Sequence, residues 1–354
     1  MHILLLVPGC FLVLIVLGCL YQRIGARRDR QRYTNTGRCV DIGDEHRIFL
    51  VEKGAGPATV LFESGIAATH LNWCHIQESV SRFACTVSYD RCGLGWSSAC
   101  RTERTPTNVA EEFHAALEVA CIKPPYVLVG HSFGGMVMRR FALLYSDEVA
   151  GIVLIDPMRC NEWPPLNPAR QPTLNRAVRL SGYAIPIAHL GLARLAVTSA
   201  LCRSGSLAGG LANAAGNGGR YLLGRVTGEL AKMPIEIRPI IAAHWSRPDY
   251  YAGMRSHIKA VPETVREMCS SSAIEDIPVV VLTPGQSTPL SENDLSRIGN
   301  NTQQVIATES AHWIHLDQPD LVVEWILEMV LAADPGAIST HGLMCEEPVT
   351  SPRP

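Results

Sequence analysis

Short, largely apolar runs recur along the chain between segments with helical spacing. We interpret five of these runs as strands, at residues 59–62, 86–89, 126–129, 152–155 and 279–282. Their residues do not alternate between apolar and polar, which is typical of parallel strands buried on both faces. Because helical segments separate them, the sequence predicts an α/β fold with a mostly parallel, doubly wound sheet.

Helical and turn patterns fill the intervals between these strands. Val109, Phe113 and Leu117 share one helical stripe, and residues 321–330 form a final amphipathic helix. Residues 40–51, around Gly43-Asp44, predict an antiparallel hairpin at the sheet edge.

The alternation stops in the middle of the chain. Residues 157–276 contain no convincing strand, have patchy helical periodicity at 184–201 and 235–243, and include a Gly/Ala-rich stretch, 205–219, expected to be mobile. We interpret 157–276 as a helical cap inserted between two parts of an α/β core, 37–156 and 277–333, followed by a disordered tail, 334–354. The cap offers five aromatic residues as candidate pocket walls, Trp163, Tyr183, Trp245, Tyr250 and Tyr251.

The N-terminus carries the strongest hydropathy signal. Residues 3–21 contain no charged side chain, and about 20 apolar residues span a bilayer. Five arginines follow, Arg23, Arg27, Arg28, Arg30 and Arg32. We therefore expect a transmembrane anchor at 1–22 and a basic juxtamembrane linker at 23–36, which places the remaining chain on the cytoplasmic side. A cleaved signal peptide is the alternative, but the apolar run ends in Tyr-Gln-Arg and not in a small-residue cleavage site.

Composition narrows the class of protein. Hydrophobic residues make up 47% of the chain and the net charge is −2, which argues against a disordered chain and against nucleic-acid binding. The 12 cysteines are scattered without a C-x-x-C pair, which favours buried thiols in a reducing compartment. We expect no metal site and no cofactor.

A candidate nucleophile follows the strand at 126–129. Gly130-His131-Ser132-Phe133-Gly134 is a G-x-S-x-G motif between a predicted strand and the helical stripe of Val137 and Phe141. In this context the motif forms a strained turn that exposes the serine hydroxyl. The backbone N–H of Phe133 would be one oxyanion donor, and that of Ile66, after Gly65, the second.

The serine hydroxyl requires a base and an oriented acid. In chains with this motif the order is serine, acid, histidine, so the base should follow the last strand, residues 304–307. His312 is our candidate; His315 is the rival and is expected to have a packing role. The loop after 279–282 has no nearby carboxylate, so we favour Asp156, at the end of the strand 152–155, with Asp294 and then Glu292 as alternatives.

Together these motifs resemble the α/β-hydrolase superfamily, and within it a branch of membrane-anchored bacterial-type serine hydrolases. The resemblance adds Asp90-Arg91-Cys92-Gly93-Leu94-Gly95-Trp96-Ser97 and His312-Trp313-Ile314-His315, while Glu63-Ser64-Gly65 departs from the His-Gly of many relatives. It implies hydrolysis of an ester, thioester or amide without a cofactor. We expect an ester-type acyl bond in a small-molecule substrate, and the predicted membrane anchor favours a lipophilic one. Perhydrolysis, acyl transfer, C–C hydrolysis, aminopeptidase activity and non-catalytic ligand binding remain alternatives.

Overall fold

A computed structural model describes residues 2–202 and 232–333. Its centre is one eight-stranded sheet in the order β1-β2-β4-β3-β5-β6-β7-β8. β1, β2 and β4 pair antiparallel, and the pairings from β4 through β3 to β8 are parallel. The predicted mostly parallel α/β sheet is therefore confirmed.

The strands run over Arg38–Asp41 (β1), Arg47–Lys53 (β2), Thr59–Glu63 (β3), Cys85–Asp90 (β4), Tyr126–His131 (β5), Val149–Ile155 (β6), Val279–Pro284 (β7) and Thr302–Ala307 (β8). The helices run over His2–Tyr33 (α1), Cys74–Val80 (α2), Pro106–Val119 (α3), Phe133–Leu144 (α4), Gln171–His189 (α5), Leu192–Cys202 (α6), Arg238–Trp245 (α7), Pro248–Cys269 (α8), Glu292–Ile298 (α9), Ile314–Asp317 (α10) and Pro319–Ala333 (α11).

The sheet is covered on both faces, which explains its unbroken apolar strands. Successive side chains of a strand point to opposite faces. In β5, Leu128 packs with α3 and α4, while Val127 and Val129 pack on the other face with α2 and α11. All three are fully buried.

The described part of the segment between β6 and β7 consists of helices joined by turns and loops, and it differs from the expected pattern in two places. The periodicity predicted at 184–201 is divided between α5 and α6, because the chain turns at Gly191, whose φ is +73°. The 22-residue helix α8 was not predicted, since Pro262 lies inside it and breaks the sequence pattern. The stretch 205–219 and the tail 334–354 lie outside the described residues.

The N-terminal region forms one continuous helix across the predicted anchor, 1–22, and most of the predicted linker, 23–36. α1 continues to Tyr33 through the arginine-rich segment, and its second half packs on the cap. The Arg194 side chain of α6 donates to Gln22 at 3.0 Å and to Asp29 at 2.6 Å. Among the described residues, no single helix has both the length and the hydropathy of a membrane span. The helical segments Pro168–His189 and Leu192–Thr198 together have the length and composition of one, but they are bent by 95° relative to each other.

Candidate active site

The sheet and helix α4 hold Ser132 in a strained conformation. Ser132 lies between β5 and α4 with φ +55° and ψ −117°, and its backbone N–H donates to the carbonyl oxygen of Ile155 at 3.0 Å. A left-handed φ is costly for a residue with a side chain and persists only where the surroundings impose it. Gly134 permits the close approach, because a Cβ there would lie 2.4 Å from the carbonyl oxygen of Glu63.

His312 and Asp156 meet at the carboxyl end of the sheet. His312 follows β8 and Asp156 follows β6, and their Nδ1 and Oδ2 atoms are 2.6 Å apart. Both side chains are 17% exposed. The backbone around them is also fixed: Asp156 donates its N–H to Leu282 at 2.8 Å, and the ring of His131 donates from Nε2 to the carbonyl oxygen of His312 at 2.9 Å. The preferred base and the preferred acid from the sequence are thus brought together.

The rival histidine and the alternative acids lie elsewhere. His315 is 1% exposed and packs on Trp73, with ring centres 4.8 Å apart. Burial lowers its pKa well below the usual range, so the imidazole is neutral. Glu292 and Asp294 lie in the first turn of α9, where Asp294 accepts a hydrogen bond from the Ser291 hydroxyl at 2.7 Å.

The candidate oxyanion loop passes directly beside Ser132. A Cβ on Gly65 would lie 3.1 Å from Nδ1 of His131 and 3.7 Å from Cβ of Ser132. The Gly65 carbonyl oxygen accepts the N–H of Ala68 at 3.1 Å, which closes a turn around Ile66. Ile66 and Phe133, the donors expected from the sequence, line the same cavity as Ser132, and their role as oxyanion donors stays a prediction.

Sequence reasoning missed a buried polar cluster behind this loop. Arg91 donates to the carbonyl oxygen of Gly65, and its other terminal nitrogen lies 3.4 Å from the Glu63 carboxylate. Glu63 also accepts the Tyr89 hydroxyl. Burial raises the pKa of Glu63, and the Arg91 cation opposes that shift. The only sequence signal was two charged residues placed at the ends of buried strands.

The candidate residues open into one cavity of about 180 Å³ under the cap. Gly65, Ile66, Ser132, Phe133 and His312 line its core side. The cap side is largely apolar and includes Trp163, Leu174, Ala177, Met233, Ile241, Trp245, Tyr250, Ile258 and Val261. Of the five aromatic residues proposed as walls, Trp163, Trp245 and Tyr250 line the cavity. Tyr183 and Tyr251 do not line it, and Tyr183 is 67% exposed.

One group of potential metal ligands occurs among the described residues, away from this cavity. Ligand atoms of His46, Cys92 and Glu112 lie within 4.8 Å of one another. Both carboxylate oxygens of Glu112 accept hydrogen bonds from Arg104, at 3.1 and 2.7 Å. Burial raises the pKa of Cys92 to about 12, which keeps the thiol protonated. The arginine cation and the neutral thiol both oppose binding of a metal ion there.

Comparison with known proteins identifies a family over part of this chain. Residues 58–185 match a family described as the alpha/beta hydrolase fold. The chain is 31% identical to YqjL of Bacillus subtilis over 105 residues, which cover 30% of this chain and 42% of that protein. It is 28% identical to the (lyso)-N-acylphosphatidylethanolamine lipase of Mus musculus over 130 residues, or 34% of this chain and 37% of that protein.

A solved structure extends the likeness to most of the fold. The epoxide hydrolase CorEH superposes with a TM-score of 0.59 at 15% identity and covers 83% of this chain and 98% of its own. This identity shows a shared fold only. The matches to the two curated relatives span less than half of their length. Residues 58–185 thus match the alpha/beta hydrolase family, and the described core has the α/β-hydrolase fold.

Proposed function

We propose that the protein is a serine hydrolase that cleaves an ester-type acyl bond. The observation that carries this proposal is the 2.6 Å contact between Asp156 and His312, which lines the same cavity as Ser132. A carboxylate bound to Nδ1 leaves Nε2 as the nitrogen that accepts a proton from a serine. The strained Ser132 backbone and the adjacent N–H groups of Phe133 and Ile66 complete the set that acyl transfer requires.

The proposed reaction has two halves. In the first, the Ser132 oxygen attacks the acyl carbon, its proton passes to Nε2 of His312, and the N–H groups of Phe133 and Ile66 stabilise the oxyanion. The leaving alcohol takes the proton from His312, and an acyl-serine remains. In the second half, His312 takes a proton from water, the resulting hydroxide attacks the acyl carbon, and the carboxylic acid leaves as the proton returns to Ser132. Asp156 keeps the imidazole oriented and stabilises its charged form.

The likeness to an epoxide hydrolase fold does not extend to a shared mechanism. Opening of an epoxide by a serine oxygen would leave an ether on Ser132, and water does not readily hydrolyse an ether. Opening by a carboxylate gives an ester, which water can cleave. The serine at position 132 therefore favours acyl substrates, for which the covalent intermediate is itself an ester.

The lining of the cavity supports a lipophilic acyl group as the substrate class. The cap side chains that line the cavity are largely apolar, so burial of an alkyl chain there is favourable by about 0.8 kcal/mol per methylene. The likeness to a mouse lipase acting on acylated phospholipids agrees with this class.

Covalent labelling of the full-length protein with a fluorophosphonate tests the proposal. We expect Ser132 to be labelled, and we expect no labelling in Ser132→Ala or after prior heat denaturation. Hydrolysis of p-nitrophenyl esters from acetate to laurate then tests the substrate class, and kcat/KM should rise with chain length. A native protein that is not labelled at Ser132 contradicts the proposed function.

We also propose that residues 1–22 anchor the protein in a membrane, with the catalytic domain facing the cytoplasm. The uncharged sequence at 3–21 supports this, and so do the exposed side chains of Phe11, Leu14 and Leu17, which are 65%, 66% and 56% exposed. The neighbouring cap surface is apolar too, since Ile187 and Leu192 are 45% and 50% exposed.

A further inference from the structure

One buried arginine contacts both segments that carry the proposed oxyanion donors. The side chain of Arg91 is 1% exposed and donates a hydrogen bond to the carbonyl oxygen of Gly65, the residue before Ile66. Its guanidinium carbon lies 5.1 Å from the centre of the Phe133 ring. Arg91 is therefore packed between the loop after β3 and the first residue of α4.

The contact with Gly65 determines the direction of the Ile66 N–H. The carbonyl of Gly65 and the N–H of Ile66 belong to one peptide group, which is planar, and in the trans form the two bonds point in opposite directions. Arg91 and the N–H of Ala68 both bind the Gly65 oxygen. Holding that oxygen towards Arg91 points the Ile66 N–H away from Arg91.

The charge of Arg91 adds to this effect. A hydrogen bond from a cation to a carbonyl oxygen is stronger than one from a neutral donor, and it polarises the peptide group. The N–H at the other end of that group becomes a better donor to an oxyanion. At the same time the cation attracts the face of the Phe133 ring, which restrains the residue that supplies the other N–H.

Arg91 is itself fixed by Glu63. The Glu63 carboxylate lies 3.4 Å from the guanidinium and accepts the Tyr89 hydroxyl, and its side chain is 2% exposed. A buried ion pair adds little net stability, because desolvation of both charges offsets their attraction. The position of the Glu63–Arg91 pair against the loop after β3 is therefore better explained by the orientation that it gives this loop than by a gain in stability.

We propose that Arg91 is a positioning residue for the oxyanion hole, holding the Gly65–Ile66 peptide and Phe133 so that both N–H donors meet the oxyanion. This role rests on the proposed serine hydrolase function. The role also predicts that substitution of Arg91 lowers kcat and leaves KM nearly unchanged, because an oxyanion exists in the transition state and not in the bound ester.

Substitution of Arg91 with a matched control tests this role. Arg91→Met removes the donor, Arg91→Lys keeps a cation, and Arg104→Met is the control, since Arg104 is another fully buried arginine in an ion pair, with Glu112. We measure kcat and KM on p-nitrophenyl butyrate, the melting temperature, and inhibition by an alkyl trifluoromethyl ketone, whose serine adduct carries an oxyanion.

We expect Arg91→Met to lower kcat and ketone affinity by about 10–100-fold with little change in KM, because loss of a whole donor costs about 10²–10³-fold and here the donor remains but is misaligned. The kcat and the ketone affinity of Arg91→Lys should lie between those of Arg91→Met and those of the wild type. Arg104→Met should lower the melting temperature and leave kcat and ketone affinity close to the wild type.

A second variant covers the case in which Arg91→Met fails to fold. Glu63→Gln/Arg91→Met removes both buried charges and is expected to recover the melting temperature without recovering kcat. The role is overturned if this variant has wild-type kcat, or if Arg91→Met and Arg104→Met lose equal kcat and ketone affinity. If the wild type is active and labelled at Ser132, either of these results contradicts only the role of Arg91. If the wild type is inactive and unlabelled, the serine hydrolase function is contradicted as well.

Discussion

His312 and His315 are three residues apart and have different surroundings. His312 is 17% exposed at the cavity and contacts Asp156, whereas His315 is buried behind it against Trp73. We predict that His312→Ala lowers kcat by about 10⁴-fold or more, as expected for loss of the base. His315→Ala should lower the melting temperature and change kcat far less. Steady-state ester hydrolysis and thermal unfolding of both variants measure this, and a reversed order of kcat would assign the base to His315.

The acid can be tested in the same way, because the alternative carboxylate has a separate role. Asp156→Asn keeps the shape of the side chain but favours the wrong tautomer of His312, so we predict a loss of about 10⁴-fold in kcat. Asp294→Asn is the control: Asp294 accepts a hydrogen bond from Ser291, the N-cap of α9, and Asn keeps an acceptor oxygen there, so kcat should be retained with a small change in stability. If Asp294→Asn loses most of its kcat and Asp156→Asn keeps it, the catalytic acid is Asp294 in α9.

At the scale of elements, the contact between α4 and the loop after β3 sets the geometry of the site. A Cβ on Gly134 would lie 2.4 Å from the carbonyl oxygen of Glu63 and 2.6 Å from that of Ser64, and both are backbone atoms. We predict that Gly134→Ala moves α4 from the loop and lowers kcat by about 10²-fold, as displacements near 1 Å do. Gly182→Ala is the control, because its Cβ would meet only the flexible Arg255 side chain, at 3.2 Å. An equal kcat in both glycine variants would contradict the prediction.

The elements that could be predicted from the sequence are those with a local signal. β5, the G-x-S-x-G turn and α4 are consecutive, so periodicity and two glycines were enough to place Ser132. Asp156 was also placed at a strand end, where parallel strands bring their carboxyl termini together. The contact of Arg91 with Gly65 could not be predicted, because it joins the ends of β3 and β4 and depends on how both side chains are buried. Nor could the cap be divided into helices, since a proline lies inside both α5 and α8.

At the scale of the whole molecule, the cap connects the cavity to the outer apolar surface. Leu174 and Ala177 of α5 line the cavity, while Tyr183 and Ile187, farther along the same helix, are 67% and 45% exposed. α1 meets the cap where α5 ends, because a Cβ on Gly18 would lie 2.4 Å from the carbonyl oxygen of Leu190. The N-terminal helix and the cavity wall are therefore parts of one packed unit.

This arrangement decides how the proposed membrane anchor should be tested. Tyr21 and Gln22 contact the cap, at Gly191 and Arg194 respectively, so deletion of residues 2–17 removes most of the apolar segment and keeps that contact. We predict that this deletion moves the protein from the membrane pellet to the supernatant with kcat unchanged. The full-length variant Leu14→Lys/Leu17→Lys should also move to the supernatant, because each lysine costs about 2.5–3.5 kcal/mol at the centre of a membrane helix.

The orientation of the anchor needs a separate test. A reporter fused to the C-terminus should show a cytoplasmic location, since the arginines that follow the apolar segment favour that side. If the unaltered protein is found in the supernatant, the proposed anchor is contradicted. If the reporter is active only outside the cytoplasm, the proposed orientation is wrong.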